Sequence, residues 1–203
     1  GANLAKMETA DIAALTTAAI AALKTAQVSS LTTDQVVALT TAQIFGLTTS
    51  QTSALSTSQL AAMETADFAA LSTAQITALT TNQVKSLTTS QVAALTTAQV
   101  AKLTTAQLSA FTTQQIAAME SADLVSLTTA QVSSMTSAQI VALTTYQISK
   151  LLTAQISALS TQAIAAIETD DIAVLSTAQV AALTTNQIKA LATNQVVALT
   201  TAQ

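Results

Sequence analysis

The chain repeats itself every eight residues without an insertion or a deletion. From Met7 to Ala198 there are 192 residues, which is 24 octads with the consensus Leu-Thr-Thr-Ala-Gln-Val/Ile-Ala-Ala. A period this regular indicates an array in which every octad takes nearly the same conformation. The chain also stops inside an octad, at Thr201-Ala202-Gln203. We therefore expect one repeat array over residues 1–203, cut from a longer protein.

Two columns of the repeat are apolar along the whole array. The positions from Met7 to Leu199 in steps of eight number 25, of which 19 are Leu and four are Met, with Phe111 and Ile167 as the rest. The column from Leu4 to Val196 is apolar at every position except Thr52. These two columns are predicted to form the core, and Phe68 and Phe111 to be packing variants within it.

The polar columns carry the signal for a helix start. Thr-Thr-Ala-Gln fits a capping box, in which a Thr hydroxyl accepts from a backbone N–H and a Gln three residues later reaches back. The first Thr column is replaced at seven places, whereas the second is always Thr or Ser, so either column could supply the N-cap. The Gln column itself holds 19 Gln, four Asp and two Ala.

The spacing of the apolar columns favours short helices over two alternatives. Eight residues make about 2.2 helical turns, so the apolar stripe of one continuous helix would rotate by roughly 80° per octad. A β-solenoid suits Thr, Val and Ile, but its core positions should be an even number of residues apart. Here the spacing alternates between five and three, and three is a helical neighbour distance. We predict an all-α solenoid with one short helix per octad, with a β-solenoid as the alternative.

The size of one superhelical turn follows from a variant unit that recurs. Units beginning Met-Glu or Ile-Glu start at residues 7, 63, 119 and 167, so they are seven, seven and six octads apart. If they recur once every two turns, one turn holds roughly 3.0–3.5 octads, or about 24–28 residues, which is close to known solenoid repeats.

Composition excludes several classes of function. The chain has no Cys and no His, so thiolate nucleophiles, histidine bases, disulfides and the usual zinc sites are excluded. Six Lys against ten acidic residues leave a net charge of −4, which gives no footprint for nucleic acid. A membrane-spanning helix needs about 20 predominantly apolar residues in a row, and the sequence contains no such run. We expect no enzyme activity and no cofactor, and neighbouring repeats as the main partners.

The recurring variant units supply the one candidate ligand site. Each puts a Glu and an Asp three residues apart, and carboxylate oxygens are the ligands that Ca²⁺ prefers. The competing interpretation is that these acids only complement the positive end of a helix. The calcium candidates are Glu8, Asp11, Glu64, Asp67, Glu120, Asp123, Glu168 and Asp171.

The surface offers few other contacts. Phe45 and Tyr146 fall in variable columns and are predicted to be exposed, which makes them candidates for a contact surface. The column before Leu is nearly always Ala, Ser or Gly, which predicts close approach between neighbouring helices. Lys6, Lys102, Lys150 and Val174 depart from that rule, so we expect them at more exposed places.

Units such as Leu95–Lys102 and Leu175–Ala182 resemble the octapeptide-repeat tracts of very large bacterial secreted or cell-surface proteins. The resemblance covers essentially the whole chain, and it implies an extracellular or cell-surface location in a bacterium. We predict an extended spacer or scaffold within a large protein. The alternative is a binding module that uses the solenoid surface for a peptide, a glycan or calcium.

Overall fold

The structure, a computed structural model, describes residues 4–203 of the chain. A single 3-10 turn, η1 at Leu4–Lys6, precedes 24 short α-helices, one in each octad, and residues 4–203 contain no strand. The predicted all-α fold is therefore confirmed, and the β-solenoid alternative is wrong. The helices divide between two compact units, Gly1–Lys102 and Leu103–Gln203.

Each helix has between four and six residues and begins at the second Thr or Ser of its octad. The helices of the first unit are α1 (Thr9–Ala14), α2 (Thr17–Ala21), α3 (Thr25–Val28), α4 (Thr33–Val37), α5 (Thr41–Gly46), α6 (Thr49–Ala54), α7 (Thr57–Ala62), α8 (Thr65–Ala69), α9 (Thr73–Ala78), α10 (Thr81–Lys85), α11 (Thr89–Ala93) and α12 (Thr97–Val100). Those of the second unit are α13 (Thr105–Ala110), α14 (Thr113–Ala117), α15 (Ser121–Ser126), α16 (Thr129–Ser133), α17 (Ser137–Val141), α18 (Thr145–Lys150), α19 (Thr153–Ala158), α20 (Thr161–Ala166), α21 (Thr169–Ala173), α22 (Thr177–Ala181), α23 (Thr185–Ala190) and α24 (Thr193–Ala198).

The predicted capping box starts most of these helices. In α11, the Gln91 backbone N–H donates to Thr88 Oγ1 at 3.1 Å, and the Thr88 N–H donates back to Gln91 Oε1 at 3.0 Å. The first Thr is thus the N-cap, because its backbone is extended, and the second Thr is already helical. The alternative that the second Thr is the N-cap is wrong. At Leu152 and Ala192, which have no hydroxyl, only the Gln half of the box remains.

The bend between helices needs neither Gly nor Pro. Leu47 at the end of α5 has φ −62° and ψ 138°, and Thr48 at the start of α6 has φ −71° and ψ 159°. Both φ/ψ pairs lie in the extended region that any residue adopts. No residue between 4 and 203 has a left-handed backbone. Two extended residues therefore bend the chain between α5 and α6, which explains how the array can fold with two glycines and no proline.

Helices three octads apart pack against each other throughout each unit. In the first unit the pairs run from α1 with α4 to α9 with α12, and in the second from α13 with α16 to α21 with α24. Two-turn helices are unstable alone in water. A helix in the middle of a unit is therefore held by the helices of the turns before and after it, which is the packing of a solenoid.

The two apolar columns form the core of each unit, as predicted. Val92 and Leu95 are 0% and 5% exposed, and Phe68 and Phe111 are buried in the same columns. Thr52, the exception, is also fully buried, and its hydroxyl donates to the carbonyl of Thr48 at 3.0 Å. A buried hydroxyl with a partner does not carry the cost of an unsatisfied one.

The Gln column links successive turns as well as capping helices. Gln91 Nε2 donates to the carbonyls of Leu60 at 2.7 Å and Met63 at 2.9 Å, at the end of α7. In the second unit, Gln155 Nε2 donates to the carbonyls of Leu124 and Leu127 at 2.8 and 2.9 Å. These acceptors lie 31 and 28 residues earlier, four helices back, whereas the packed helices are three apart. One turn therefore holds between three and four octads, a range that overlaps the predicted one of roughly 3.0–3.5 octads.

Small residues let adjacent turns approach closely, as the column before Leu predicts. A Cβ built on Gly46 would lie 3.3 Å from the Cβ of Thr17, which is 29 residues earlier in the preceding turn. Lys102, Lys150 and Val174, which break this column, are exposed, as is Lys6.

Among the helices of residues 4–203, none has the length and apolar character to cross a membrane.

Candidate functional site

The structure places the two acids of each variant unit in different environments. The four glutamates, Glu8, Glu64, Glu120 and Glu168, are N-cap residues, are exposed, and make no side-chain cap hydrogen bond. Three of the aspartates, Asp67, Asp123 and Asp171, are buried, and Asp11 in the first turn of the array is exposed. Each Asp takes the position of the Gln in an ordinary octad.

Asp67 shows what an Asp does in the Gln column. Its Oδ1 accepts a hydrogen bond of 2.5 Å from the hydroxyl of Thr41, the first residue of α5, against which α8 packs. An ionised carboxylate has no N–H, so it cannot donate to main-chain carbonyls as Gln does. At Asp67, a hydrogen bond from Thr41 of the preceding turn thus takes the place of the hydrogen bonds that a Gln side chain donates between turns.

Asp123 has a perturbed proton affinity. Burial and, to a smaller extent, the negative charge of Glu120 raise its pKa from 3.8 to about 6, and a backbone hydrogen bond at Glu120 opposes them. Desolvation disfavours the charged form of a carboxyl group. The protonation state of this side chain therefore changes near pH 6.

The acids of residues 4–203 are not gathered into a metal centre. Ca²⁺ takes six to eight oxygen ligands, and each variant unit supplies one exposed Glu and one Asp, with Asp170 as a further exposed Asp in the last of them. In the part of the chain that the structure describes, no three acidic side chains are grouped as metal ligands. The eight calcium candidates therefore stay a prediction, and Asp67 already uses one carboxylate oxygen on Thr41.

Sequence reasoning missed the second role of the glutamines. The capping box accepts Glu as readily as Gln, yet the column contains no Glu at any of its 25 positions. That preference is a signal that the NH₂ group is needed as a donor. The structure supplies the reason, because the donor is used by carbonyls 28 and 31 residues earlier.

The most exposed aromatic side chain lies beside a cation in the second unit. Tyr146 is 63% exposed, and Lys150 Nζ lies 4.9 Å from the centre of its ring, a cation–π distance. Lys150 also lines a shallow depression with Ser121, Ala122 and Val125. Phe45 in the first unit is 62% exposed, so both predicted contact residues are on the surface.

A similar depression lies beside Lys102 in the first unit. It is lined by Thr49, Thr73, Ala74, Thr77, Ala78 and Lys102. Lys102 follows Thr73 by 29 residues, the separation that joins Gly46 to Thr17, and Lys150 follows Ser121 by the same number. Each depression therefore occurs where Lys replaces the small residue at the contact between turns.

The comparison with protein families agrees with the repeat. The ALTTAQ repeat family matches residues 4–41, 60–97, 92–120, 116–153 and 164–201. No curated protein sequence matches the chain. The matched segments cover well over half of the residues, and they carry the Leu-Thr-Thr-Ala-Gln octads whose geometry is described above. The chain belongs to the ALTTAQ repeat family.

Proposed function

We propose that this chain is a structural repeat module that acts as an extended spacer or scaffold in a large bacterial surface or secreted protein. The observation that carries the proposal is the recurring contact between turns. Gln91 and Gln155 make the same pair of bonds to carbonyls 28 and 31 residues earlier, in separate units. An array whose octads interact mainly with adjacent turns can be lengthened octad by octad without a new fold.

The proposal assigns no catalytic role to the chain. A sequence without Cys or His offers only carboxylates, six Lys and one Tyr for acid–base chemistry. The surface or secreted location is part of the same proposal, and its support is the resemblance to octad tracts of such proteins.

Small-angle scattering on variants with whole octads added or removed tests the spacer role. We expect the maximum dimension to grow in proportion to the number of octads, with the helical signal per residue unchanged in far-UV circular dichroism. Removing the last two octads should shorten the particle and leave it folded. A compact particle whose maximum dimension does not follow octad number would overturn the proposal.

A binding role is the second candidate, and the Tyr146–Lys150 pair favours it. An exposed ring beside a cation and a shallow depression is a surface that can contact a peptide or a glycan. Calorimetric titration of candidate glycans into the chain and into Tyr146→Ala would test this surface. Binding that is equal in both would exclude it.

Calcium has a separate test. A rise in melting temperature on adding Ca²⁺ would support the calcium form of the binding role, because a ligand of the folded state stabilises it. The variant Glu120→Gln/Asp123→Asn should abolish that rise if the acidic unit holds the ion. An unchanged melting temperature would count against calcium.

A further inference from the structure

The second Thr column is the most uniform polar column of the array, and it lies at the surface. It runs from Thr9 to Thr201 in steps of eight, and its 25 positions hold 23 Thr and two Ser. Of these side chains, 21 are exposed and four are half-buried. The helices begin at these residues, but their N-caps belong to the first Thr column. Neither the core nor the caps therefore explain why this column is uniform.

The hydroxyls of this column are not used by the fold. In the part of the chain that the structure describes, and with Thr41 and Thr97 set aside, none of them makes a hydrogen bond. In α11, Thr88 Oγ1 accepts from the Gln91 N–H at 3.1 Å, whereas the hydroxyl of Thr89 has no partner. The oxygen of the first Thr is thus engaged at the helix start, and that of the second is available.

The next column shows how an exposed position varies when nothing fixes its residue. All 25 positions from Ala10 to Ala202 are exposed, and they hold six residue types, namely Ala, Ser, Asn, Gln, Asp and Tyr. The second Thr column holds only the two residues that carry an aliphatic hydroxyl. A helix start does not impose this restriction, because Pro and acidic residues also suit the first turn.

Packing between turns does not require the hydroxyl either. A Cβ built on Gly46 would lie 3.3 Å from Cβ and 3.7 Å from Cγ2 of Thr17, so the contact is made by carbon atoms. Val would supply the same atoms, yet it is absent from the column, whereas Ser121 and Ser137 lack the methyl group and keep the hydroxyl. The feature shared by all 25 positions is therefore the hydroxyl.

Hydroxyls of successive turns reach the same surface. Thr49 and Thr73, the first residues of α6 and α9, line one shallow depression in the first unit. These two helices pack against each other, and the axes of packed helices are about 8–10 Å apart. A unit therefore presents such hydroxyls in rows, at a separation wider than one sugar ring.

We propose that the second Thr column is a row of acceptor sites for O-linked glycosylation. The Thr oxygen attacks the anomeric carbon of a nucleoside diphosphate sugar, and the bond from that carbon to the diphosphate breaks. The hydroxyl proton passes to a base of the glycosyltransferase, and the nucleoside diphosphate leaves. A sugar on Thr89 displaces no hydrogen bond of the fold. This inference goes beyond the proposed function and does not depend on the spacer role.

Charge favours a sugar over a phosphate on these oxygens. A phosphate adds about −1.5 to −2 charges at pH 7, and the chain already has a net charge of −4. Phosphates about 8–10 Å apart lie within roughly one Debye length of each other at physiological salt, so they would repel along the row. A neutral hexose carries no such cost.

Mass spectrometry of the protein isolated from the cells that produce it tests the proposal. We expect peptides of the array to exceed their unmodified mass by multiples of one sugar residue. Electron-transfer fragmentation should place the sugars on the second Thr column. Unmodified peptides, phosphate in place of sugar, or sugars that fall as often on the first Thr column would each overturn the proposal.

Two matched Val variants separate a modification site from a structural one. Thr89→Val and Thr88→Val each keep the shape of the side chain and remove one hydroxyl from the start of α11. In the unmodified chain, Thr88→Val should lower the melting temperature by about 2–4 °C through the lost cap, and Thr89→Val should leave it unchanged. An equal decrease in both variants would show that the fold itself needs the second hydroxyl, which contradicts the proposal.

Discussion

Gln91 Nε2 lies 2.7 Å from the carbonyl oxygen of Leu60, 31 residues earlier in the chain. The same side chain accepts from the Thr88 N–H through Oε1. One amide therefore satisfies the start of its own helix and the end of a helix in the preceding turn. Backbone groups at helix ends have no partner within the helix, so this side chain closes two helix ends at once.

Gln91→Glu tests the donor role with almost no change in shape. The carboxylate keeps the acceptor for Thr88 but faces the carbonyls of Leu60 and Met63 without a proton. We expect a loss of about 2–4 kcal/mol in the free energy of unfolding at pH 7, because a buried charged acceptor is left without a donor. Urea denaturation measures this loss.

The pH dependence of that variant has a definite sign. Burial should raise the pKa of the new Glu in the folded state, so the destabilisation grows as pH rises above the unfolded value of about 4.3. The control is Gln114→Glu in α14, where the side chain is exposed and the change should stay within about 0.5 kcal/mol. Equal losses at both positions would refute the donor role.

Asp123 predicts a pH dependence in the wild type. Its folded-state pKa of about 6 lies above the ordinary value of 3.8, so folding favours the protonated form. The contribution of this group to stability is therefore complete below pH 3.8 and is lost as pH rises through 6. Asp123→Asn should flatten the melting temperature between pH 4 and pH 7 relative to the wild type.

The control for Asp123 is an exposed acid in the same compact unit, Leu103–Gln203. Asp170→Asn removes a carboxylate from the first turn of α21, where the side chain is exposed. This variant should keep the wild-type slope between pH 4 and pH 7. A slope in Asp123→Asn that matches the wild type would show that another group causes the pH dependence.

Leu152→Thr should stabilise the chain. Leu152 is an N-cap residue without a hydroxyl, and its N–H already donates to Gln155 Oε1 at 2.9 Å. Thr would complete the capping box and add about 0.5–2 kcal/mol to the free energy of unfolding. Leu152→Ala, which adds no hydroxyl, is the comparison in thermal denaturation, and a gain of the same size in both would point to another cause.

Replacing a large side chain by Ala should have unequal effects inside and outside the core columns. Leu95 is buried, so Leu95→Ala should cost about 2–5 kcal/mol through lost burial and the cavity that remains. Val197→Ala removes an apolar side chain that is 78% exposed, and its effect should stay within about 0.5 kcal/mol. Similar costs in urea denaturation would mean that the inner face is assigned wrongly.

Much of the fold could be predicted because its signals are local. The capping box joins residues three apart, such as Thr88 and Gln91, and the core column places Val92 and Leu95 on one side of a short helix. What could not be predicted were the long-range partners of the Gln side chains and the burial of Asp67 beside Thr41. Those contacts join residues 26 to 31 apart, and their identity depends on how successive bends add up.

The sequence by itself determined the period, the two apolar columns and the start of each helix, since these depend on interactions within one octad. The sequence limited the number of octads in one superhelical turn to roughly 3.0–3.5. Only the tertiary structure decided that helices three octads apart pack together while Gln reaches four helices back. The physical reason is that a small difference in the Leu–Thr bend, repeated over three or four octads, changes which carbonyls meet which amides.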